Sequence, residues 1–212
     1  LSQVTIGRIA RIDSKHNLTV AALSNERVDT DAEAGDKAFF PFSEADSIVE
    51  VANNTNVLVA ENADLDAFNA LTVIAEVDHW SDSLALMDGR GISVVNNIDV
   101  DAKSTVNTTV DVNLFAADLT GQDVDIVSRV KQLDVKVRGD ARGPVGLNGT
   151  VRAKGNLSST TKTDIQLFGS TIEGRSSIDL LSEHPGMNTF ADTYGLSPSA
   201  TGPLDSIAEN VT

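Results

Sequence analysis

Apolar and polar residues alternate along much of this chain with a period of two. In Ile92–Ala102, ISVVNNIDVDA, the residues Ile92, Val94, Ile98 and Val100 would point one way, and Ser93, Asp99 and Asp101 the other. That is the signature of a strand with one buried face. Asn96-Asn97 between the two runs is turn chemistry, because Asn tolerates left-handed geometry and bonds its own backbone. Val145–Gly155, VGLNGTVRAKG, repeats the layout with Asn148-Gly149 at the turn. The elements expected are therefore short strands separated by Asn and Gly turns.

The pattern recurs at a spacing of 53: Val4–Val20, VTIGRIARIDSKHNLTV, aligns without a gap on Val57–Val73, VLVAENADLDAFNALTV. Thr108–Gly121 and Thr161–Gly174 form a second such pair. Three series of starting residues interleave: Val4, Val57, Val110 and Thr163; Ala21, Ile74 and Val127; Phe39, Ile92 and Val145. Their steps of 17 or 18 divide the 53-residue unit in three. A fixed period of this kind is the mark of a repeat architecture. The fold expected is all-β: a parallel β-helix or solenoid, right-handed, of about ten coils of 17–18 residues over 1–180. At ~4.8 Å per layer it would form a rod roughly 48 Å long. The poor fit to a hexapeptide repeat argues against the left-handed form. Residues 181–212 lose the pattern, hold three of the five prolines and read as an irregular linker or cap. The run Leu1–Ile6 is already strand-like, so further coils or a neighbour are expected beside it.

Composition narrows the function. Hydrophobic residues make up 41% and aromatics only 4%, which suits a narrow interior filled by Val, Ile, Leu and Ala. A net charge of −15 disfavours nucleic acid and anionic membranes. No cysteine is present, so neither disulfides nor thiolate metal sites stabilise the chain. No stretch approaches the ~18 apolar residues of a membrane-spanning helix. Six Asn-x-Ser/Thr sequons occur, at Asn17, Asn53, Asn107, Asn148, Asn156 and Asn210. Asn53 and Asn107 are expected at nearly the same point of the coil.

The segments VTIGRIARIDSKHNLTVAALS and NADLDAFNALTVIAEV resemble the repeats of large bacterial secreted surface proteins, the filamentous-haemagglutinin-like β-solenoid adhesins. The resemblance spans about 4–180. It implies secretion or a cell-surface location, and a role in adhesion or as a spacer. The implied partners are neighbouring domains or subunits, with glycans or cell-surface receptors beyond them. It supplies no catalytic residues.

Candidate chemistry is sparse. No Ser-His-Asp set, phosphate loop or dinucleotide fingerprint is present, so no catalytic residue is assigned and no enzyme is expected. Asp64, Asp66, Asp99 and Asp101 flank apolar residues and are read first as solvated outer positions. Stacked with other coils, they are the candidate ligands for a structural Ca²⁺; otherwise no cofactor is expected. His16, His79 and His184 have no metal-type spacing, and His79-Trp80 is expected in a bulged loop. Asn25–Ser43, with Phe39, Phe40 and Phe42, is expected to be an irregular lateral loop. The expected function is a rigid acidic rod or filament element of an extracellular protein. The alternative is a carbohydrate-active β-helix enzyme or polysaccharide-binding module, whose carboxylates would converge in a groove.

Overall fold

The computed structural model describes residues 1–35, 42–88, 92–143, 145–184, 187–196 and 204–211. Among them there is no helix; the elements are β1 (Ser2–Ile6), β2 (Arg11–Ser14), β3 (Leu18–Ala34), β4 (Phe42–Val59), β5 (Asp64–Ala67), β6 (Ala70–Asp88), β7 (Ile92–Phe115), β8 (Asp118–Arg142), β9 (Val145–Phe168), β10 (Thr171–Glu183), β11 (Met187–Leu196) and β12 (Leu204–Val211). One sheet has the order β1-β4-β7-β9-β12; the other joins β2, β5, β8, β6 and β3, with β10 and β11 also on β8. Every pairing is parallel. The chain thus alternates between two sheets and returns to each one row further on.

The spacing of 53 is the step between hydrogen-bonded neighbours in several of the ladders, and the others step by 54 or 55. Val4 pairs with Val57, Val110 with Thr163, Ala21 with Ile74, Ile74 with Val127, and Ile92 with Val145. The three series read from the sequence are therefore three stations along one long turn. They are not three successive coils of 17–18 residues. The Asn96-Asn97 and Asn148-Gly149 pairs, expected to end strands, lie inside β7 and β9, each 24 residues long. The ten layers reduce to five strands in the first sheet. At about 4.8 Å each they rise only ~20 Å. That rise is less than half that of the expected rod, roughly 48 Å.

Two further expectations differ from the structure. Asn25–Ala34 continues β3 as strand; Phe39 and Phe40 lie outside the described residues, and Phe42 opens β4. In the segment expected to be irregular, Met187–Leu196 pairs with Leu133–Arg142, and Leu204–Val211 pairs with Val151–Ser158. Its prolines fall outside these two strands, which leaves their ladder donors intact.

Alternation builds the core between the sheets. Along β6, every second residue from Leu71 to Met87 is buried. Val57, Val59, Val110, Val112 and Leu114 from the first sheet join Leu71, Val73, Val124 and Ile126 from the second in one cluster. Burying each such side chain contributes roughly 1.5–3 kcal/mol. The passage from first to second sheet is a tight corner built the same way in four rows. Ile9, Asn62, Ala116 and Gly169 occupy the left-handed region there, with φ of 60°, 58°, 43° and 64°. The corners are bonded to one another: Asn62 N donates to Ala116 O at 2.9 Å, and Ala116 N to Phe168 O at 2.7 Å.

Candidate functional site

The row step decides which side chains become neighbours. Asp13 pairs with Asp66 and Arg11 with Asp64 at the start of the second sheet. Arg11 Nε lies 3.5 Å from Asp64 Oδ2. Asp99 and Asp101 lie on the other sheet, beside Glu44 and Asp46. Arg152 Nη1 stands 3.9 Å from Asp99 Oδ2, and Asn156 Nδ2 donates to Asp101 Oδ1 at 3.2 Å. The four candidate calcium ligands are thus divided between two sheets. Among the described residues, no group of three or more His, Asp or Glu could hold a metal ion.

A groove of about 370 Å³ opens where β2 and β5 end, lined by Asp13, Ser14, Lys15, Asp66, Phe68 and Arg175. The turns beneath it are tied row to row. Phe68 N donates to Ser14 O, Asn69 N to His16 O and Gln122 N to Asn69 O, at 2.9, 2.9 and 2.6 Å. Ser14 Oγ closes its own turn on Asn17 O at 2.9 Å. Phe68 is 65% exposed at the groove. Arg175 reaches it from a bulge, because the pairing of β10 with β8 slips between Gly174 and Ser177. A Cβ on Gly174 would collide with the Ser177 carbonyl, so the bulge requires glycine there.

A second polar group lies between the sheets. His79 is fully buried, with Nδ1 3.3 Å from Asn53 Nδ2 and 3.7 Å from Glu26 Oε2. Burial pushes the His79 imidazole below its ordinary value, and Glu26 and Asp78 oppose this only in part. Nearby, Ser47 Oγ lies 2.8 Å from Thr30 Oγ1 and 3.0 Å from Ser83 Oγ. His79 Nε2, Asn53 Oδ1, Thr55 Oγ1 and Ser81 Oγ are buried without a partner among the described residues. The bulged loop expected at His79-Trp80 is instead regular β6. The irregularity is one extra residue, Lys131, on the facing strand. Trp80 points outward, under the Arg27 guanidinium at 4.4 Å.

Compared with family models, curated proteins and solved structures, the chain matches none of them. The sequence reading singled out Asp66 and His79 but not their companions. The signal was present: Glu26 precedes His79, Arg27 precedes Trp80 and Asp13 precedes Asp66 by the same 53 positions. Arg175 gave no such signal, because a bulge and not the repeat delivers it.

Proposed function

We propose that this chain is a right-handed parallel β-helix segment of a secreted or cell-surface protein, acting without catalysis as a structural or adhesive element. The supporting observation is the row-on-row register, which stays between 53 and 55 residues through both sheets. Right-handedness follows the general rule for crossovers between parallel strands of one sheet. Each row satisfies its backbone groups on the next, so stability accumulates row by row. The core face also reaches the last rows, where Leu167, Ile178 and Leu180, in register with the buried Leu114, Val124 and Ile126, are exposed. Neighbouring domains or subunits carrying the same row geometry would cover these side chains and lengthen the stack into an acidic rod.

Electron microscopy of the purified chain at rising concentration tests this reading. Elongated particles with a ~4.8 Å repeat along their long axis support it. Compact particles at every concentration, or cleavage of an acidic polysaccharide abolished by single Asp changes, would sink it. The second reading, a carbohydrate-active enzyme, draws support from the adjacent Asp13 and Asp66 in the groove.

A further inference from the structure

We propose that the groove at Phe68 binds an acidic saccharide, one containing uronate sugars. Its lining combines three chemistries that such a ligand needs at once. Phe68 offers an exposed aromatic face for the apolar C–H side of a sugar ring. Asp13 and Asp66 sit on adjacent strands and accept hydrogen bonds from sugar hydroxyls. Lys15 and Arg175 hold a carboxylate, the guanidinium with two parallel donors.

Charge pairing sharpens the argument. The next stations along the rows are neutralised internally: Arg8 meets Glu61 at 2.8 Å and Arg11 meets Asp64 at 3.5 Å. Among the described residues, Asp13, Lys15, Asp66 and Arg175 have no ion-pair partner. Two charges of each sign therefore face one cleft unpaired. A ligand carrying both hydroxyls and carboxylates complements them.

The bulge at Gly174 brings Arg175 to the cleft's lining.

Other ligand classes fit less well. The phosphates of a nucleic acid need a basic track, whereas the two cations of this cleft stand beside two carboxylates that suit hydroxyl donors. A peptide added as a strand needs free backbone donors at a sheet edge. Here the amides of Phe68, Asn69 and Gln122 are already bonded to neighbouring rows. The groove runs across the rows, so its specificity comes from side chains. This inference stands apart from the mechanical reading, since a monomer would carry the groove as well as a stack.

The test is calorimetric titration of the whole chain with oligogalacturonate of four to six sugars (a length of about that size spans the cleft's rows). Malto-oligosaccharide of equal length and an acidic peptide of equal charge serve as comparisons. Saturable binding of oligogalacturonate alone is expected. Phe68→Ala and Arg175→Ala should each weaken it tenfold or more, and Phe68→Tyr should retain it. Circular dichroism checks that each variant keeps its strands. Absence of saturable binding overturns the proposal. So does binding unaffected by both alanine variants, or equal binding of malto-oligosaccharide or the peptide.

Discussion

Asn53 and Asn107 face opposite sides of the same sheet. Asn53 pairs with Thr108 and is 3% exposed, whereas Asn107 pairs with Ala52 and points to solvent. The step between β4 and β7 is 55 residues, so two positions 54 apart differ by one residue in register, and one residue inverts the face. Expression in a host that glycosylates Asn-x-Ser/Thr should leave Asn53 bare. Asn17 and Asn107, both exposed, should carry sugar. Peptide mass spectrometry reads each site; sugar on Asn53 in the folded chain would contradict the register.

His79 makes stability depend on pH. Its folded value lies below the ordinary 6.5 because burial disfavours the imidazolium. The unfolded chain therefore binds the proton first as pH falls, and stability drops from about pH 6.5 downward until the folded value is passed. Asp82 and Asp111 act in the other direction and in another window. Burial raises both above 3.8, so the stability they add at low pH is lost as pH rises through their folded values. Thermal melts at pH 7.5 and pH 5 should show a lower midpoint at pH 5. His79→Gln should flatten that difference, and an unchanged difference in the variant would remove His79 as its source.

The repeat was legible in the sequence because lateral neighbours share their alternation. The pairings Val4 with Val57 and Ala21 with Ile74 are those an alignment at 53 suggests. The number of rows was not legible. A period of two looks the same in a strand that continues and in one that ends and restarts, so Asn96-Asn97 passed for a turn within β7. The 55-residue step was hidden too, and it pairs Val57 with Val112 and not with Val110. Of the groove, Asp13 and Asp66 follow from the spacing, whereas Arg175 depends on the bulge.

The corner at Ile9 places a β-branched residue where its counterparts hold smaller ones. Ile9 has φ of 60° and a branched Cβ, while the equivalent positions hold Asn62, Ala116 and Gly169. A left-handed conformation costs an L-residue roughly 1–2 kcal/mol, less for Asn, whose short polar side chain bonds locally. Ile9 is 77% exposed, so its replacement sacrifices little burial. Ile9→Asn should raise stability by about 1 kcal/mol in urea denaturation with an unchanged slope. A loss of stability would mean that the Ile9 side chain makes a contact outweighing the strain.

Two ion pairs across neighbouring rows should behave differently. Arg129 Nε donates to Glu76 Oε2 at 2.6 Å, with the Glu76 side chain only 16% exposed, and Arg129 Nη2 also contacts Oε2. Arg8 and Glu61 lie at 2.8 Å but are 70% and 54% exposed. Water and salt screen the second pair, whereas the protein partly shields the first. Double-mutant cycles using Arg129→Ala with Glu76→Gln, and Arg8→Ala with Glu61→Gln, separate them. The coupling expected for Arg129–Glu76 is about 1–2 kcal/mol, as for charged hydrogen bonds with limited solvent access. For Arg8–Glu61 it is below ~0.5 kcal/mol. In 0.5 M salt the first should persist in large part and the second should vanish. Equal couplings would mean that Glu76 is as well solvated as Glu61, and that the face of β6 and β8 opens to water more than its burial indicates.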